Sequence, residues 1–139
     1  MRKVAIIVGN GSFNNLVLLS TLIAGLVSAF DCKVRVFFRD EALLKLTKER
    51  INEINFSPAF DGMQDEAVRR LEQSGFTDLR GFLRHAKELG DDVRYYGCRS
   101  SMYLIGAAEA DLIPEIDEVT SVSRFLLEEL AEADKVLTF

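Results

Sequence analysis

The sequence predicts a three-layer α/β/α domain built on a mostly parallel sheet of about five strands, spanning residues 1–139 as one unit. Three observations carry that expectation. Short apolar runs alternate along the chain with longer segments whose apolar residues recur at helical spacing. The first run, Val4-Ala5-Ile6-Ile7-Val8, is apolar without interruption, as a central strand covered on both faces must be. Apolar residues make up 48% and charged residues 28%, which fits a chain that buries a core rather than a disordered one.

The elements follow in order. After the first strand, Gly9-Asn10-Gly11-Ser12 forms a tight turn, with Ser12 or Asn14 available to cap the next helix. That helix, about Phe13 to Ala29, is apolar nearly all round. One face covers the sheet, and the excess suggests a second buried contact, with another subunit as one option. Val34-Arg35-Val36-Phe37-Phe38 alternates enough to suggest a strand nearer the sheet edge. Asp40 is expected to cap a helix reaching about Lys48. Ile51 to Phe60 gives no clear pattern, and Ser57-Pro58 ends any regular element there.

Asp61-Gly62-Met63-Gln64 resembles a capping box opening a helix that Gly75 stops. Thr77 is expected to cap the next helix, which runs to Gly90. Val93 to Tyr96 is the third strand, and it turns at Cys98 into a helix reaching about Ala108. Ile116 to Val119 reads as a fourth strand, Val122 to Ala133 as a last amphipathic helix, and Lys135 to Phe139 as a closing strand. A flavodoxin-like order, 2-1-3-4-5, would make the loops after strands one and three neighbours and bring Gly9–Ser12 beside Cys98.

Several functions are excluded. A net charge of −5 without a Lys/Arg cluster leaves no footprint for nucleic acid or anionic lipid. The apolar run Leu16–Phe30 is 15 residues, short of the ~20 needed to span a bilayer, and it reads as a buried helix. The polar break Gly9–Asn15 argues against a cleaved secretory signal, so a cytoplasmic protein without a membrane span is expected. No cluster has metal-ligand spacing, and no cofactor is called for. His85, the only histidine, reads as an exposed helix residue, and Glu88, Asp91 and Asp92 as a solvated end. Tyr95 and Tyr96 read as packing residues, one on each face.

Cys98 is the candidate nucleophile. At a helix start, backbone N–H groups and the helix dipole favour a thiolate, Arg99 adds positive charge, and the amides of Arg99, Ser100 and Ser101 are available to an anion. A small buried residue at a strand–helix junction is the competing reading. Gly9, Asn10, Gly11 and Ser12 form a candidate ligand loop, although they lack dinucleotide or Walker spacing. Cys32 opens the second strand at the opposite sheet edge, roughly 20 Å from Cys98, so a bridge within one chain is not expected.

Three segments resemble the DsrE/DsrF-like family. They are Lys3 to Gly9 with its Gly-Ser turn and long apolar helix, the strand Asp31 to Phe38, and above all Cys98-Arg-Ser-Ser-Met-Tyr-Leu-Ile-Gly106. Glu118 to Ser123 departs from the glycine-containing turn frequent in relatives. The resemblance implies a homo-oligomeric cytoplasmic sulfur carrier. Its motif cysteine, here Cys98, would take a sulfane sulfur or thiosulfonate group from a donor protein or small sulfane-sulfur compound and pass it to a partner. That is a carrier role more than an autonomous sulfurtransferase. Two other readings stay open from the residues alone. One is a module binding an anionic small molecule or nucleotide between the Gly11 and Cys98 loops. The other is a structural or regulatory subunit with an inert cysteine.

Overall fold

The computed structural model describes residues 2–139. Its strands are β1 (Lys3–Val8), β2 (Lys33–Phe38), β3 (Val93–Cys98), β4 (Glu118–Thr120) and β5 (Lys135–Thr138). Its helices are α1 (Phe13–Phe30), α2 (Asp40–Lys45), α3 (Gln64–Ser74), α4 (Leu79–Glu88), α5 (Arg99–Ile105) and α6 (Val122–Glu128). All strands are parallel, in the order β4-β3-β2-β1-β5.

This order differs from the flavodoxin-like one. The steps β1→β2→β3→β4 all run in one direction, and right-handed crossovers therefore stack their helices on one face. Only β4→β5 steps back across the sheet, so α6 stands alone on the other face. Side-chain alternation agrees. Val4, Ile6, Val8, Val34, Val36, Phe38 and Tyr95 enter the large core with Leu16, Leu19, Ile23, Leu43 and Leu83. Ala5, Phe37, Tyr96 and Cys98 enter a smaller core closed by Phe125.

By length and composition α1 is apolar enough to cross a membrane, with a mean hydropathy of 1.7. Here it packs on the sheet and on α4, which accounts for part of its apolar excess within the chain. Leu18 and Phe30 remain exposed.

The small core is fastened by aromatic packing and charge. The Phe125 ring stacks on Phe37 at 4.8 Å between centroids and meets Tyr96 edge-on at 5.5 Å. Just past α6, Glu129 pairs with buried Arg35 at 2.7 Å and with Lys3 at 3.2 Å. Arg35 also pairs with Asp92 at 2.7 Å, so its charge is not left uncompensated in the interior.

Several boundaries shift. Asp78, not Thr77, caps α4, its Oδ1 accepting from Gly81 N–H at 3.0 Å. The expected capping box before α3 does not form: the N-cap is Met63, and Gln64 donates to Asp61 beside it at 3.1 Å. Gly106, in the left-handed region at φ 67°, ends α5 before Ala108. Leu130–Glu132 is a separate 3₁₀ turn, so the last helix stops short of Ala133.

Candidate functional site

Cys98 is both the last residue of β3 and the N-cap of α5. Alternation from Tyr96 points its side chain toward the α6 face, where it joins the small core. The residue is only 6% exposed. Its neighbour across the ladder is Thr120 on β4, itself buried. Cys32 lies at the other end of the strands in the large core, and both thiols are free.

The expected helper residues have divided roles. Arg99 Nη2 donates to the Val119 carbonyl at 3.0 Å, tying α5 to β4. Ser100 is exposed. Ser101 is buried and reaches α2, accepting from Asp40 N–H at 2.8 Å and donating to Asp40 Oδ1 at 2.9 Å. The expectation that Asp40 caps α2 is therefore corrected. Arg39 is the N-cap, and Asp40 opens the helix at φ 50°, a left-handed conformation costly for a residue with a Cβ.

The loop Gly9–Ser12 is not beside Cys98, because β2 lies between β1 and β3. Three of its four amides are already engaged. Gly9 and Asn10 donate to the Phe139 carbonyl at 3.0 and 3.4 Å, and Ser12 N–H donates to Asn10 Oδ1 at 2.9 Å. Ser12 is the N-cap of α1 but makes no side-chain cap bond, and Asn55 braces the loop through Phe13 and Gly11. The loop instead touches the first turn of α2: a Cβ on Gly11 would stand 2.2 Å from the Glu41 carbonyl oxygen. Asn55, within the patternless stretch 51–60, thus serves as a brace.

Sequence reasoning passed over Arg39. It follows a regular strand, so nothing in its spacing marked it, yet its side chain lies at the same sheet edge as Cys98 and is half exposed. Tyr95 and Tyr96 do point to opposite faces. The Tyr95 hydroxyl donates to the Leu83 carbonyl at 2.7 Å, and burial pushes its acidity well out of reach at neutral pH. His85 is exposed on α4. Among the described residues no group of three or more His, Cys, Asp or Glu is placed to hold a metal.

A family model for DsrE/DsrF-like proteins matches residues 2–139, which is nearly the whole chain. The chain belongs to the DsrE/DsrF-like family. Solved structures agree with this DsrE-like fold. The protein MTH1491 from Methanobacterium thermoautotrophicum, a protein of unknown function, superposes with a TM-score of 0.60 at 14% identity, covering 99% of each chain. The ychN protein from E. coli superposes with a TM-score of 0.59 at 19% identity over 100% of both chains. No curated protein matches the chain at a significant level.

Proposed function

We propose that this DsrE-like chain is a sulfur carrier whose Cys98 thiolate takes a sulfane sulfur from a donor and surrenders it to a partner thiol. The observation that carries the reading is family membership across the whole chain, with a free thiol standing where a central strand passes into a helix at the carboxyl edge of the sheet.

In the loading step Cys98 attacks the sulfane sulfur. A Cys98–S–S⁻ persulfide forms, and the donor's S–S bond breaks with its electron pair on the departing group, sulfite when the donor is thiosulfate. An acceptor thiolate then attacks the outer sulfur of the carrier, as in thiol–disulfide exchange. Cys32 sits at the far edge of the sheet in the core, so the acceptor is a second molecule. A reducing compartment such as the cytoplasm suits two free thiols. Assembly into a homo-oligomer would cover the apolar side chains exposed on α1, α5 and α6, among them Leu18, Phe30, Tyr103, Leu104, Val122 and Leu127.

The burial of Cys98 favours a second reading, a subunit with an inert cysteine. Intact-mass analysis after exposure to thiosulfate or polysulfide separates the two. The carrier gains the mass of one sulfur at Cys98, and Cys98→Ser does not. Failure of the wild type to gain sulfur, or equal gain by Cys98→Ser, overturns the carrier reading.

A further inference from the structure

We propose that Arg39 is the positioning residue of the Cys98 site and selects sulfane-sulfur donors that carry negative charge. The inference rests on the carrier reading above and adds to it the charge class of the donor.

Strand register places the two residues side by side. β2 pairs with β3 so that Phe37 lies beside Tyr96 and Phe38 beside Gly97. One step further sets Arg39 beside Cys98 at the ordinary strand spacing, about 4.8 Å. Arg39 keeps an extended backbone, φ −127° and ψ 157°, so the alternation continues and both side chains leave the same sheet face.

On its other side Arg39 meets β1. Val8 pairs with Phe38, and Arg39 N–H donates to the Val8 carbonyl at 3.0 Å, so Gly9 is the next neighbour in the row. Gly9 offers no side chain there. A Cβ built on it would fall 3.1 Å from Arg39 Nη2 and 3.2 Å from Cζ, so the guanidinium lies across the bare glycine. Gly9, Arg39, Cys98 and Thr120 thus form one lateral row at the carboxyl edge. The row is a track with a cation at one end and a thiol near the other. From Gly9 to Cys98 it spans two strand spacings, on the order of 10 Å.

The cation is free to exchange partners. Its ion pair is with Asp40, 2.6 Å from Oδ2, and both side chains are about half exposed, a setting in which a pair contributes little. Asp40 is in turn held by Ser101, so the arginine can release it without leaving that carboxylate unbonded. Arg99, the other cation next to the thiol in sequence, is exposed and directs Nη2 to the Val119 carbonyl. An extended anionic donor, a polysulfide chain or an acidic persulfide, lies along the row with its charge at Arg39 and a sulfane sulfur at Cys98. With a tetrasulfide dianion, attack by the Cys98 thiolate gives the Cys98 persulfide anion and a trisulfide dianion. One S–S bond forms, one breaks, and no outside oxidant is needed.

The test compares two donors on the full-length protein, following modification of Cys98 by mass spectrometry of its peptide. Inorganic polysulfide is the anionic probe and dimethyl trisulfide the neutral one. Arg39→Gln is expected to slow polysulfide about tenfold, the rate equivalent of one lost charged hydrogen bond, with dimethyl trisulfide changed less than about twofold. Arg39→Lys is expected to recover part of the loss. Added salt should slow polysulfide on the wild type and not on Arg39→Gln. Equal slowing with both donors, or no slowing with either, overturns the role of Arg39 while the carrier reading stands. A wild type that takes sulfur from neither donor overturns both.

Discussion

Ser101 Oγ accepts the backbone N–H of Asp40 at 2.8 Å and donates to Asp40 Oδ1 at 2.9 Å, clasping the β2–α2 turn to the first turn after Cys98. Through this clasp Asp40 is held at φ 50°, and Arg39 is held in the row that contains the thiol. Replacing Ser101 by Ala leaves a partly buried amide and a left-handed turn residue without their partner. It is expected to cost about 1–2 kcal/mol, read as a lower urea midpoint at unchanged slope.

Phe125 is the side chain that closes the small core over Phe37 and Tyr96. Phe125→Ala removes a buried ring, for which a cost of roughly 3–5 kcal/mol is expected. It also uncovers the face into which Cys98 points. Alkylation of Cys98 by iodoacetamide under native conditions should therefore accelerate more than that of Cys32, which lies in the other core. Equal acceleration of both thiols would mean that α6 does not gate Cys98.

Gly11→Ala tests the close approach of the β1–α1 loop to the first turn of α2. The added Cβ would meet the Glu41 carbonyl at 2.2 Å, and a backbone atom cannot swing aside as a side-chain end can. A destabilisation of about 2 kcal/mol or more is expected in chemical denaturation, at the upper end of the usual overpacking range. Gly25→Ala, with no atom within 4 Å of the new Cβ, is the control and should be neutral or stabilising.

Lys45 supplies a pH dependence. Burial lowers its ammonium pKa from 10.5 to about 8, against the opposing charge of Glu53. Its Nζ donates to the Glu53 carbonyl and lies 5.4 Å over the Phe13 ring. The unfolded chain holds this proton more tightly, so between about pH 8 and 10.5 the unfolded state binds more protons and stability rises with pH from this group. The wild type minus Lys45→Met difference in unfolding free energy should therefore climb across that window. It should be flat below about pH 7, where both states are protonated. A difference that is flat throughout would place the amine in water.

The alternation of buried strands and periodic helices, the Cys98 junction and the separation of Cys32 from Cys98 were all legible in the sequence. Each depends on local rules: uninterrupted apolar runs, helical spacing, and the length of a strand. The motif from Cys98 to Gly106 carried the family as well, because a cysteine at a strand end and a left-handed glycine closing a seven-residue helix are encoded within nine positions. Strand order was not legible. Whether a crossover steps onward or back is decided by which sheet edge the next strand finds, and nothing in β1 to β3 records that choice.

That one choice rearranged the site. With β2 between β1 and β3, the glycine loop is displaced from Cys98, and Arg39 takes the adjacent place. The direction of Arg99 was likewise settled only by folding, since its guanidinium follows the Val119 carbonyl 20 residues away. Sequence by itself determined which residues form the strands and which thiol stands at a helix start, because those are matters of neighbours along the chain. Tertiary structure decided which cation shares a sheet edge with that thiol and that α6 covers it, because those depend on contacts between segments that local patterns do not encode.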